Sequence, residues 1–165
     1  MKRAIILIIP LFILLVTSCS SSRFNSANNE LRNSIRKEEI KNAVESDRYI
    51  IKINRVMARR GPSIDLKPSN NYIIIDRDLA RVNLAYVGRS HDTRGIMAIN
   101  MTGKVIERKV RQRNNGGYEI KLKIKQNNDQ FNVSISTGAS GYSSVNINHL
   151  RLDSSRYLGN MTLIN

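Results

Sequence analysis

The sequence predicts a mainly β (α+β) domain: a curved antiparallel sheet or partial barrel of about eight strands with one N-terminal helix. Three observations carry this. In the last third, apolar residues alternate with polar ones, at Tyr118, Ile120, Leu122 and Ile124, then Phe131, Val133 and Ile135, then Val145 and Ile147. Such alternation marks half-buried antiparallel strands. Turn signals such as Arg59-Arg60-Gly61-Pro62, Lys67-Pro68-Ser69-Asn70 and Asn115-Gly116-Gly117 punctuate the chain. Helical spacing is confined to one segment, and eight twisted strands leave edges that curling would remove.

At the N-terminus, Lys2 and Arg3 precede an apolar run over 4–16. That run falls short of the roughly 20 residues a membrane span needs and suits a signal peptide. Val16-Thr17-Ser18-Cys19 resembles a bacterial lipobox. On this reading a leader of residues 1–18 is removed and Cys19 is lipidated. One acyl chain binds a membrane only marginally, at about 0.8 kcal/mol per buried CH₂, whereas two or three anchor stably. The alternative is a secreted protein with a stray cysteine. Cys19 is the sole cysteine, so lipidation would leave no disulfide and no catalytic thiol. Ser20 is not the aspartate of inner-membrane retention, and no acidic export cluster follows it. The expected address is therefore the outer membrane, lipid-anchored and facing the periplasm, with the cell surface as the alternative.

Removing 18 of the 165 residues leaves 147, enough for one domain with its own core. Lys2 and Arg3 are lost with the leader, taking 27 basic residues to 25 against 13 acidic, a balance of +12. The partners this favours are anionic lipid, lipopolysaccharide or an acidic glycan. Plain solubilisation of a β-rich surface is the competing account. An envelope address argues against nucleic acid, as does the absence of tryptophan and the scarcity of aromatics that would stack bases.

The elements follow in order. Residues 19–29, the lipidated Cys and a Ser/Asn-rich stretch, read as a flexible tether; the domain proper is 30–165. Leu31, Ile35, Ile40 and Val44 predict a helix over 30–46, capped by Asn28 or Asn29. Tyr49, Ile51 and Ile53 begin the first strand. Strands are expected at 63–66, 72–76, 81–87, 96–101 and 104–113. A four-stranded meander then runs roughly from Lys104 to His149. A three-residue turn at Asn115-Gly116-Gly117 would pair Val110 with Leu122. A two-residue turn at Asn128-Asp129 would pair Ile124 with Val133, and a three-residue turn at Ala139-Ser140-Gly141 would pair Ile135 with Val145.

The outer face of that meander carries Lys109, Arg111, Arg113, Lys121, Lys123 and Lys125, then a field of Ser and Asn. The expected register sets Lys121 opposite Arg111 and Lys123 opposite Lys109. Like charges directly opposite destabilise a sheet by up to about 1 kcal/mol, and an anion would relieve this. Lys109, Arg111, Lys121, Lys123 and Lys125 are therefore candidate anion-binding residues. So are Arg89 and Arg94 in the polar loop Gly88-Arg89-Ser90-His91-Asp92-Thr93-Arg94-Gly95. Ser90, His91 and Asp92 hold the letters of a triad, but adjacent residues do not generally form one. His149 falls on the apolar face opposite Phe131 and reads as a core or rim residue. No metal-ligand spacing or phosphate-cradling loop appears, and no cofactor is expected.

Glu45-Ser46-Asp47-Arg48-Tyr49, Asn54-Arg55-Val56, Leu84-Ala85-Tyr86-Val87-Gly88-Arg89, Gly95-Ile96 and Tyr157-Leu158-Gly159 resemble, in order over 40–165, the motifs of a Bacteroidota lipoprotein family, domain of unknown function 4251. Ala85 and Val87 replace the proline and phenylalanine of its Leu-Pro-Tyr-Phe-Gly-Arg motif. The resemblance implies a small β-rich periplasmic lipoprotein and supplies no activity. The expected function is a non-catalytic envelope binding module for an anionic ligand. The alternatives are a structural or assembly protein docking on an envelope protein through a sheet edge or its helix, and a hydrolase built around His91.

Overall fold

The alternating runs close on themselves. A computed structural model describes residues 21–57, 63–87 and 98–164, with side chains from residue 28 onward. Among them, helix α1 (Ser21–Glu45) is followed by β1 (Arg48–Met57), β2 (Ser63–Asp65), β3 (Tyr72–Asp76), β4 (Leu79–Ala85), β5 (Ala98–Gln112), β6 (Tyr118–Gln126), β7 (Asp129–Thr137), β8 (Tyr142–His149) and β9 (Leu152–Leu163). The sheet runs β1-β3-β4-β5-β6-β7-β8-β9, and β9 pairs back onto β1. Eight antiparallel strands thus form a closed barrel, and β2 adds to β1 as an extra strand.

The chain divides into two units within α1, at Ile35/Arg36. In the first, α1 begins at Ser21, inside the stretch expected as a tether, and Leu31 and Ile35 are 60% and 61% exposed rather than part of an apolar stripe. The second unit holds the last turns of α1 and the barrel. There Ile40, Ala43 and Val44 are buried. Arg36 Nε donates to the Ser140 carbonyl at 3.3 Å, and the Leu163 N–H donates to Glu39 Oε1 at 3.4 Å. These turns of α1 therefore lie over one barrel end, beside the β7–β8 turn and the end of β9. The helix stops where Ser46 N–H and Oγ both bond the Asn42 carbonyl. Asp47 then takes a left-handed φ of 56°, which its short polar side chain tolerates, and the chain enters β1.

Each strand sends alternate residues inward: Tyr49, Ile51 and Ile53 from β1, Ile73 and Ile75 from β3, Val82 and Leu84 from β4, and so on round to Tyr157 and Met161 from β9, all buried. Side chains fill an eight-stranded barrel, so the interior is a packed core. β-bulges between Ile53/Arg55 and between Val105/Glu107 reset the alternation, which keeps Val56 inside after Ile53 and places Arg108 inside after Val105.

Two sequence registers need correction. The β5–β6 turn has three residues as expected, but they are Asn114-Asn115-Gly116, with Gly116 left-handed at φ 75°. Arg113 and Gly117 bracket the turn, and Val110 pairs with Ile120, not Leu122. The β6–β7 turn is Asn127-Asn128, with Asn127 at φ 53°, so Ile124 faces Phe131, not Val133. The β7–β8 register holds as expected: Ile135 pairs with Val145, and Gly141 is left-handed at φ 86°. The two runs expected at 96–101 and 104–113 are one strand, β5. Gly103 sits within it because a Cβ there would come 2.6 Å from the Lys125 carbonyl oxygen. The turn expected at 59–62 lies outside the described residues.

Candidate functional site

The outer faces of β5 and β6 form a basic stripe. Register sets Lys104 opposite Lys125, Lys109 opposite Lys121, Glu107 opposite Lys123 and Arg111 opposite Glu119. The expected oppositions of Lys121 with Arg111 and of Lys123 with Lys109 are therefore wrong. The turn, shifted by one residue toward the N-terminus, slides the pairing by two residues. Glu107 binds Lys109 Nζ at 2.9 Å and Lys123 Nζ at 2.5 Å. Hydrogen bonds from Lys123 first, and then from Lys109, push its carboxyl down to about 2. Two of the five sheet cations named from sequence are thus already engaged. Lys104, Lys121, Lys125 and Arg111 have no carboxylate partner among the described residues. Beyond the stripe, Lys123 adjoins Asn132, which in turn faces Asn148, and Lys121 adjoins Ser134, which faces Asn146, so a polar field borders the cations. Arg89, Arg94, His91 and Cys19 lie outside the described residues.

A second feature lies at the barrel end away from α1. The inner row of β6 ends in Gln126, that of β7 begins with Asp129, and that of β8 ends in His149. Three neighbouring strands thus change from apolar to polar at the same end. They border an open cleft of about 210 Å³ whose other wall includes Ile99 and Leu152. His149 stacks on Phe131, ring centroids 4.4 Å apart, as the sequence placed it. Its Nδ1 accepts the Arg151 N–H at 3.2 Å, and its Nε2 lies 3.6 Å from Asp129 Oδ1. Arg151 Nη2 donates to the same Asp129 oxygen at 2.6 Å, and that bond holds the Asp129 carboxyl below the ordinary range.

A third polar cluster is structural. Arg108, at the helix end of the barrel, bonds the Asp47 carboxylate and the Arg77 carbonyl and so ties the α1–β1 junction to the β3–β4 turn. Burial raises the Asp47 carboxyl, partly opposed by Arg108. No cluster of His, Cys, Asp or Glu among the described residues could hold a metal ion, and no described helix is long and apolar enough to cross a membrane.

The profile of the family described as Domain of unknown function (DUF4251) matches residues 32–161. The chain belongs to the DUF4251 family. A crystal structure of a DUF4251 family protein from Bacteroides eggerthii DSM 20697 is similar at 16% identity and a TM-score of 0.66, covering 78% of this chain and 88% of that one. At that identity the likeness shows the fold. None of the curated proteins matches the chain. Within this DUF4251 domain, Leu84-Ala85 ends β4 on the barrel wall, and the Tyr86 hydroxyl accepts the Asp153 N–H at 2.9 Å. Tyr157 and Gly159 lie on β9 where it closes against β1. Two of the motifs, Asn54-Arg55-Val56 and Tyr157-Leu158-Gly159, thus lie where β1 and β9 close the barrel.

Lys104 and the Gln126–Asp129–Arg151 group were missed from sequence. Lys104 reaches the outer face only through the β-bulge between Val105 and Glu107, which alternation counted back from Lys109 and Arg111 does not show. The mouth group carried a signal, namely polar residues at inward parity on successive strands.

Proposed function

We propose that this DUF4251 protein is an envelope lipoprotein, anchored through Cys19 to the outer membrane and facing the periplasm. On this reading it binds an anionic ligand, without catalysis, on the outer face of β5 and β6. One observation carries it. Two like-charged pairs, Lys104–Lys125 and Lys109–Lys121, stand directly opposite each other, an arrangement that costs stability unless an anion occupies the stripe. Glu107 answers only part of that charge. The shared chemistry is a row of phosphates or carboxylates, from lipid headgroups or an acidic glycan. Strand addition at β2, the alternative role, has less support, because β2 offers three residues and Asp65 is tied to Arg55 at 2.7 Å.

The test titrates the full-length protein with dihexanoyl phosphatidylglycerol and with polygalacturonate oligomers. At about 1 kcal/mol per surface cation, Lys121→Gln with Lys125→Gln weakens binding of the true ligand class about 30-fold. Added salt weakens it further. If neither probe binds, or if the double variant binds as the parent does, the reading fails. Mass spectrometry of the native product checks acylation at Cys19.

A further inference from the structure

We infer that the cleft at the barrel mouth is a binding site for a small uncharged amphiphile: an amide or alcohol with a short apolar arm. The inference is independent of the anion-binding reading, since it uses different residues on the opposite side of the barrel wall.

Inward parity normally places an apolar side chain against the core, and a polar one there is costly unless it is satisfied. Gln126, Asp129 and His149 occupy that parity together and line one cavity. At about 210 Å³ it has room for about seven waters at roughly 30 Å³ each. That is below the roughly 300–1,000 Å³ of drug-sized sites, so the ligand, or the part of it that enters, is small.

Charge selects the class. Asp129 and Arg151 neutralise each other at 2.6 Å. An anion would be repelled by Asp129 and drawn instead to the outer stripe, while a cation would displace Arg151 in a chain of net charge +14. Hydrogen bonding selects the head group. The Arg151 N–H takes the lone pair of His149 Nδ1, which leaves neutral His149 with its proton on Nε2. At 3.6 Å from Asp129 that N–H is held only by a long contact, beyond ordinary hydrogen-bond length, so a ligand oxygen competes for it. With no free ring lone pair, neutral His149 is arranged as a donor and not as a general base. Gln126 and Asn100 at the rim make no side-chain hydrogen bond among the described residues and offer both a donor and an acceptor. Ile99, Phe131 and Leu152, all buried, receive the apolar arm.

The protein has two histidines, so its ring proton signals are directly readable. His149→Gln assigns them by loss. Titration of the full-length protein with hexanamide shifts the His149 signals saturably, with a dissociation constant of about 1 mM, as expected for so few atoms. Hexanoate and hexylammonium bind at least about tenfold more weakly. Ala98→Phe, at an exposed rim position lining the cleft, abolishes the shift. Should that variant fail to fold, Gln126→Leu weakens hexanamide about tenfold instead. The inference is overturned if no probe shifts His149 saturably, if the charged probes bind as well as the amide, or if the response survives the folded variant.

Discussion

Gly159→Ala tests the seam that closes the barrel. Gly159 lies on β9 opposite Ile53, at the step where β1 bulges before Arg55. A Cβ there would overlap the Lys52 carbonyl oxygen and stand 2.9 Å from Ile53 Cα. Both are backbone atoms held in the ladder, so no rotamer change makes room. Overpacking costs roughly 1–3 kcal/mol, and a backbone obstacle places this case at the upper end, about 3 kcal/mol. Loss of glycine's freedom in the unfolded chain returns about 0.4–1 kcal/mol. The net loss is about 2–3 kcal/mol, or a fall in Tm of roughly 4–12 °C for a chain of this size. Gly138→Ala is the control. Its added Cβ would meet nothing nearer than 3.8 Å and its φ is not left-handed, so it changes stability by less than about 1 kcal/mol. Paired thermal and urea melts followed by circular dichroism give both values. Indistinguishable midpoints for the two variants would refute the assignment of the β1–β9 seam.

Ile40→Ala removes a fully buried side chain where α1 covers the barrel, and costs about 2–5 kcal/mol in urea melts. Ile35→Ala, at a position 61% exposed, changes stability by less than about 0.5 kcal/mol. The Glu107 carboxyl is held at about 2 in the folded chain against an ordinary 4.5. Its contribution is therefore complete above the ordinary value and is lost as pH falls from about 4.5 toward 2. Glu107→Gln removes that part of the acid dependence of the urea midpoint, and by freeing Lys109 and Lys123 it raises affinity for the anionic probe.

The residues show why some features were legible and others were not. Parity was legible, because a one-residue slip would turn Ile120, Leu122 and Ile124 out to solvent. A two-residue slip keeps every face, so apolar alternation could not separate Asn127-Asn128 from Asn128-Asp129 as the turn. The same holds at Gly116-Gly117. There the answer came from outside the hairpin, since a Cβ on Gly117 would overlap the Thr137 carbonyl oxygen, leaving Gly116 to take the left-handed φ. In α1, Leu31 and Ile35 share one face and Ile40 and Val44 another. The five-residue step between Ile35 and Ile40 turns the stripe by about 140° at 3.6 residues per turn. Closure itself leaves no local mark, for Tyr49 meets Leu163 across nearly the whole domain. The cation stripe was legible as a set of residues. Which of them are already neutralised depends on Glu107, whose place opposite Lys123 follows from the β5–β6 turn register that alternation left open.

The pairing of the first strand with the last also fixes when this protein can finish folding. β1 is made early and pairs with β3, but its other edge stays uncovered until the 12 residues of β9 exist. A nascent or half-threaded chain therefore carries two raw sheet edges, the kind of surface on which aggregation begins. β9 acts as a completion check: a chain that contains it seals the barrel, and one cut short before it stays sticky and open to proteases.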